Sequence, residues 1–117
     1  MRNLLLYSIK FSAILVANKN ARKVNSVTIV LPGMNVPPEE YVELSGAIQE
    51  EGNSKNIYSD FFIANVSSTS KYAYEDAVCD IRKYIAEEYG SATPRFLVGH
   101  SIGALFGVDI ALSLIHI

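Results

Sequence analysis

Residues 96–104, with the sequence FLVGHSIGA, constrain the fold of this chain more than any other stretch. Three apolar residues typical of a short buried strand lead into a Gly-x-Ser-x-Gly turn around Ser101, and a proline-free apolar run follows at residues 102–115. A serine hydroxyl that stands clear of the backbone needs a sharp turn, whose strained backbone conformation costs about 1–3 kcal/mol. Such a turn leaves no room for a Cβ two residues to either side, which explains Gly99 and Gly103.

This strand–turn–helix pattern resembles the nucleophile elbow of the α/β-hydrolase superfamily, which includes esterases and lipases. The resemblance covers residues 27 to about 113. It implies an α/β fold with a mainly parallel sheet and flanking helices, Ser101 as the nucleophile, and the backbone N–H of Ile102 as one donor to the oxyanion.

A second oxyanion donor is implied by the loop that follows the strand at residues 27–31. In the superfamily this donor usually comes just after a His-Gly pair. Here the loop begins Pro32-Gly33-Met34, so proline replaces the histidine and the N–H of Met34 is the candidate donor. An ordinary strand-to-helix turn is the alternative for this Pro-Gly pair.

Two other interpretations of the serine turn remain. Small residues recur every four positions at Gly103, Gly107 and Ala111, which predicts a helix lying close against a sheet, and a glycine-rich turn before such a helix needs no catalytic role. A dinucleotide-binding loop also has glycines after a strand, but the spacing here is not Gly-x-Gly-x-x-Gly.

The first 20 residues are ambiguous. The apolar run at residues 4–17 is interrupted by Lys10 and is short for a membrane span. One interpretation is a strand at residues 11–16, a polar turn at 18–20 and a return strand at 27–31, as in the antiparallel opening of an α/β-hydrolase sheet. The alternative is a signal or anchor segment, and the chain's compartment depends on this choice, with a cytoplasmic or organellar location favoured otherwise.

Helices and strands then alternate up to the serine turn, which favours right-handed crossovers in a mainly parallel sheet. A helix is predicted to begin in the segment Pro37-Pro38-Glu39-Glu40 and to stop at Gly52-Asn53. Its apolar face consists of Tyr41, Leu44 and Ile48, and a strand is predicted next, at residues 57–66. A second helix is predicted from about residue 73 to 89, ending at Gly90. Its predicted buried face consists of Tyr74, Ala77, Val78, Ile81 and Ile85.

Composition excludes several other functions. The chain has 117 residues, about one small domain, with a net charge of −2 and no basic block, so nucleic-acid binding has no support. The single Cys79 excludes an internal disulfide and is expected to be a buried or half-buried thiol. No metal-ligand spacing or cofactor motif is present, and nothing in the sequence establishes membrane contact.

The rest of a catalytic triad is not evident. The superfamily places an acid and then a histidine after the serine, but His116 would lie roughly 20 Å from Ser101 along a helix. The side chain of His100 is expected to pack against or orient the turn, and Asp109 is expected to face no partner base. Three earlier acids are expected in loops or facing solvent: Asp60, Asp76 and Asp80. The sequence therefore predicts an incomplete domain over residues 1–117, the N-terminal part of a longer α/β-hydrolase.

The expected function is hydrolysis of a carboxylic ester through Ser101, with a lipid-like ester as one candidate substrate because Met34 and Ile102 are apolar. Without acid and base, the fragment itself is expected to be inactive. The alternative is a non-catalytic binding protein that retains the turn. An acyltransferase or lyase with the same turn is a third option.

Overall fold

The computed structural model describes residues 6–9, 13–19, 23–66, 68 and 70–115. The strands are β1 (Leu6–Ile9), β2 (Ala13–Val16), β3 (Ser26–Leu31), β4 (Ser59–Ala64) and β5 (Arg95–Gly99). The helices are α1 (Val42–Asn53), α2 (Lys71–Tyr89) and α3 (Ile102–Ile115), with a 3₁₀ turn at Pro38–Tyr41 before α1.

The five strands form one sheet in the order β1-β2-β4-β3-β5. β3 pairs in parallel with both β4 and β5, whereas β2 is antiparallel to its neighbours β1 and β4. Four strands therefore share one direction, and the predicted α/β class with a mainly parallel sheet is confirmed. The register pairs Leu31 with Gly99, so the loops that leave the carboxyl ends of β3 and β5 begin side by side.

Helices cover both faces of the sheet. α2 and α3 pack on one face, where they share a core with Ile29, Leu31 and Phe62. The 3₁₀ turn contributes Tyr41 to a smaller core on the other face. The buried residues of α2 are the five predicted from its periodicity, and Gly90, with φ of 90°, follows its last turn. The side chain of Ser70 accepts a hydrogen bond from the N–H of Ala73 and caps the start of α2.

The predicted buried face of the first helix is right at Tyr41, which is buried, and wrong at its other two residues. Leu44 and Ile48 are exposed, and the helix instead buries Ser45, Gly46 and Gln49 against the sheet. The Gln49 amide donates hydrogen bonds to the main-chain oxygens of Val16 and Ser59. The sheet thus presents polar backbone atoms to this face of α1, and a leucine there could not satisfy them.

The prediction that the strand at residues 27–31 returns alongside the strand at residues 11–16 is also wrong. Strands are present at residues 6–9 and 13–16, but β2 pairs with β1 and β4 rather than with residues 27–31. β4 lies between β2 and β3, and all six of its residues are buried. An apolar strand of this kind is stable only with a neighbour on each side and cover on each face, which its place between β2 and β3 supplies.

Cys79 and the edge strand β5 are both exposed. Cys79 is exposed rather than buried, because it follows the buried Val78 by one position and so turns about 100° away from the sheet. β5 lies at the edge of the described sheet, where Phe96 and Val98 are 49% and 40% exposed. Among the described helices, none has the length and apolarity needed to cross a bilayer.

Candidate active site

Ser101 lies in the turn between the end of β5 and the start of α3. Its φ of 57° is in the left-handed region, which is uncommon for residues other than glycine and unfavourable by roughly 1–2 kcal/mol. The residue is exposed. The serine is therefore held outside the regular geometry of both neighbouring elements, with its side chain open to solvent.

The glycines on either side of this turn have steric reasons to be glycine. A Cβ on Gly99 would lie 2.4 Å from the Cα of Ala104, and one on Gly103 would lie 2.5 Å from the carbonyl oxygens of Leu31 and Pro32. All of these neighbours are backbone atoms. In the Ser101 turn, defined here as residues 99–103, Gly99 thus lets α3 begin directly against β5, and Gly103 lets it approach the end of β3.

The loop after β3 lies directly against the Ser101 turn. The N–H of His100 donates to the carbonyl oxygen of Leu31 at 3.1 Å. A Cβ built on Gly33 would lie 3.4 Å from the Cβ of Ser101. From α2, the hydroxyl of Tyr74 donates to the carbonyl oxygen of Pro32 at 2.8 Å. The two loops singled out from the sequence therefore meet at one place.

The N–H groups of Met34 and Ile102 have no acceptor within the described part of the chain, and the same holds for those of their neighbours Asn35 and Ser101. Ile102 is the first residue of α3, where the helix has no earlier carbonyl to bond and its dipole favours negative charge. Met34 lies in a turn closed by a hydrogen bond from the N–H of Val36 to the oxygen of Gly33. Unpaired N–H groups of this kind can bind an anion.

His100 is hydrogen-bonded to Tyr41, a partner that sequence analysis missed. The Tyr41 hydroxyl lies 2.9 Å from Nδ1 of His100 and also accepts the N–H of Gly33 at 2.8 Å. Periodicity placed Tyr41 on an apolar face, and it is indeed 7% exposed. Chemistry rather than periodicity could have indicated this contact, because a buried tyrosine hydroxyl nearly always has a hydrogen-bond partner.

Two of the acids singled out from the sequence have other partners, and the remaining two, Asp76 and Asp80, are exposed on α2, as expected. Asp109 forms an exposed ion pair with Lys71 at 3.1 Å, and its carboxylate raises the pKa of Lys71. Asp60 is buried, contrary to expectation, because the N–H of Asn18 and the hydroxyl of Tyr89 both donate to it, at 2.7 and 2.6 Å. Burial and the Asp60 hydrogen bond raise the pKa of Tyr89. His116 lies outside the described residues.

The described residues thus bring Ser101, His100 and the loop that carries Met34 together, but no acid joins them. They include no group of three or more His, Cys, Asp or Glu side chains able to hold a metal ion. An apolar groove of about 640 Å³ lies between α1 and β5, lined by residues that include Ile48, Phe61, Phe96 and Val98. Ser101, Ile102 and Met34 do not line this groove.

Comparison with protein-family models and with curated proteins gives no significant sequence match. Among solved structures, the chain is similar to Est1E from Butyrivibrio proteoclasticus, an esterase of the α/β-hydrolase family. The similarity has a TM-score of 0.66 at 18% sequence identity and covers 97% of this chain. The chain spans 46% of the length of that structure. At this identity the likeness concerns the fold, and it shows that the chain has a hydrolase-like fold.

Proposed function

We propose that this chain contributes the nucleophile and oxyanion half of a serine hydrolase acting on small carboxylic esters. The observation that carries the proposal is the position of Ser101, exposed at a φ of 57° against the loop that carries Met34. The likeness in fold to an esterase supports the same reaction class. In this proposal the Ser101 turn is a nucleophile elbow.

The proposed chemistry follows from these groups. Oγ of Ser101 attacks the ester carbonyl carbon, and the carbonyl oxygen becomes an oxyanion that accepts hydrogen bonds from the N–H groups of Ile102 and Met34. Collapse of this intermediate expels the alcohol and leaves an acyl-serine, which water then hydrolyses. The side chain of Met34, 53% exposed next to this site, favours an ester with an apolar, lipid-like acyl group.

A general base must complete this chemistry, because the hydroxyl proton has to leave Ser101 during the attack. Nδ1 of His100 already lies at hydrogen-bond distance from Tyr41, and two of the acids singled out from the sequence, Asp109 and Asp60, are paired with Lys71 and Tyr89. We therefore expect the 117-residue chain alone to hydrolyse esters no faster than its Ser101→Ala variant. A clear excess of turnover in the unsubstituted chain would contradict this part of the proposal.

A fluorophosphonate probe tests the nucleophile directly in the whole protein that contains this chain. We expect labelling at Ser101 that is lost in Ser101→Ala. The matched control is Ser91→Ala, which removes another exposed turn serine, before β5, and should label like the unsubstituted protein. Labelling that survives Ser101→Ala would reject this serine as the nucleophile.

A non-catalytic binding protein is the second candidate, favoured by the hydrogen bond between His100 and Tyr41 and by the lack of an acid near Ser101 in the described residues. The reading frame after Ile117 separates the two candidates. An in-frame continuation carrying an acid and then a histidine at strand ends supports the hydrolase. A stop codon at that point supports the binding protein.

A further inference from the structure

A chain of three polar groups connects the loop after β3 to the Ser101 turn: the N–H of Gly33, the hydroxyl of Tyr41 and Nδ1 of His100. We infer that Tyr41 and His100 form a relay of hydrogen bonds that positions the Gly33–Val36 turn, and with it the Met34 N–H, against Ser101. The placement of the turn is independent of any reaction, whereas its effect on the reactivity of Ser101 rests on the proposed function.

The direction of each hydrogen bond follows from the donors available. The N–H of Gly33 can only donate, so the oxygen of Tyr41 accepts at 2.8 Å. The single proton of that hydroxyl then needs an acceptor, and within the described residues Nδ1 of His100, at 2.9 Å, is the one in reach. We therefore assign Nδ1 as the acceptor, which places the ring proton of His100 on Nε2.

The relay determines which N–H groups remain available beside Ser101. Gly33 is buried and its N–H is engaged by Tyr41, so this group is not free to bind an anion. The next N–H along the chain, that of Met34, remains free. Asn35, with φ of 57°, and the hydrogen bond from Val36 to Gly33 close the turn behind it. Tyr41 thus occupies the N–H of Gly33 and leaves the N–H of Met34 available.

Tyr41 is suited to position the turn because it is itself rigidly held. Its ring is 7% exposed and packs with Val16, Val30, Phe61 and Ile63 on the sheet. The ring of His100 meets it edge to face, with ring centroids 5.9 Å apart. Nδ1 of His100 would also lie 3.0 Å from a Cβ on Gly33, so the histidine, the glycine and the tyrosine are in mutual contact. A displacement of the loop would therefore disturb all three.

Paired substitutions of His100 distinguish the relay from simple packing. Asparagine and leucine have similar size, but only the amide oxygen of asparagine can accept a hydrogen bond near the position of Nδ1. If the relay positions the turn, His100→Leu should accelerate amide exchange of Gly33 by about three- to tenfold, and His100→Asn should restore it to near the unsubstituted rate. Tyr41→Phe, which removes the acceptor itself, should have at least the effect of His100→Leu.

Amide exchange of the 117-residue chain, followed by NMR, decides the structural claim without any reaction. Equal exchange of Gly33 in the leucine and asparagine variants, or slower exchange with leucine, would overturn the relay. A ¹⁵N spectrum that finds the His100 proton on Nδ1 would also overturn it. Tyr89→Phe is the control for general loss of stability, because it removes a tyrosine hydrogen bond, to Asp60, away from this turn.

The rate of fluorophosphonate labelling at Ser101 in the whole protein extends the same variants to function. We expect His100→Leu to slow labelling several-fold and His100→Asn to recover it. Absence of labelling in the unsubstituted protein would reject the proposed function, while the exchange and tautomer results would still decide the relay. All variants could instead label at the normal rate while His100→Leu accelerates the exchange of Gly33. The relay would then position the turn without affecting Ser101, and the inference about its role beside Ser101 would be wrong.

Discussion

The substitution Gly103→Ala tests whether the Ser101 turn depends on close contact between the backbone of α3 and the end of β3. Its Cβ would lie 2.5 Å from the oxygens of Leu31 and Pro32, which belong to backbone held by the pairing of Leu31 with Gly99. Overpacking costs about 1–3 kcal/mol, and contact with backbone places this case at the upper end. Alanine regains at most about 1 kcal/mol through helix propensity. The expected net loss in the free energy of unfolding is about 2 kcal/mol.

Gly107→Ala is the matched control, one turn further along the same face of α3. There the added Cβ would lie 3.3 Å from Cδ1 of Leu31 and 3.5 Å from Cδ2 of Leu97, both ends of flexible side chains. A shift of a few tenths of an ångström accommodates it. The gain in helix propensity of up to about 1 kcal/mol then offsets the crowding, so we expect little net change in stability.

Urea unfolding of the two variants measures the difference. With a slope of about 1–3 kcal/mol per molar urea for small proteins, a loss of about 2 kcal/mol lowers the midpoint by about 1 M, whereas Gly107→Ala should keep the unsubstituted midpoint. Equal midpoints for both variants would refute the reasoning, because they would show that α3 can move away from the end of β3 without cost. An unchanged slope is required for either conclusion.

Three further predictions concern backbone strain and a partly buried tyrosine, Tyr89. Ser101→Gly should be more stable to urea than Ser101→Ala by about 1 kcal/mol, because only glycine relieves the left-handed backbone at this position, and equal stabilities would argue against strain there. Tyr89→Phe should lower the free energy of unfolding at neutral pH by about 1–3 kcal/mol through loss of the hydrogen bond to Asp60. Because the folded state raises the pKa of Tyr89 above its usual value of 10.0, stability should fall as the pH rises above about 10, when the unfolded chain loses this proton first. The phenylalanine variant should lack that part of the fall, and an identical decline in both proteins would contradict the assignment.

Features determined by neighbours in the sequence were predictable. The bounds of α3, the buried face of α2 and the strand before the Ser101 turn follow from local periodicity, capping and glycine spacing. Features that depend on distant partners were not. The burial of Asp60 depends on Asn18 and Tyr89, which lie 42 and 29 residues away in sequence. The hydrogen bond between Tyr41 and His100 spans 59 residues, so no window along the chain reveals it.

The reversed face of α1 shows the same limit in physical terms. Periodicity assigns the more apolar side of a helix to the core, since burial of apolar area is the dominant favourable term. The surface that α1 meets, however, offers the carbonyl oxygens of Val16 and Ser59, and an unpaired buried carbonyl costs about 1–3 kcal/mol, comparable with the gain from burying a leucine. Gln49 satisfies both oxygens, and Ile48 then turns toward the groove lined by Phe96 and Val98. The orientation of the helix is thus determined by polar atoms of other strands, which the sequence of α1 alone does not contain.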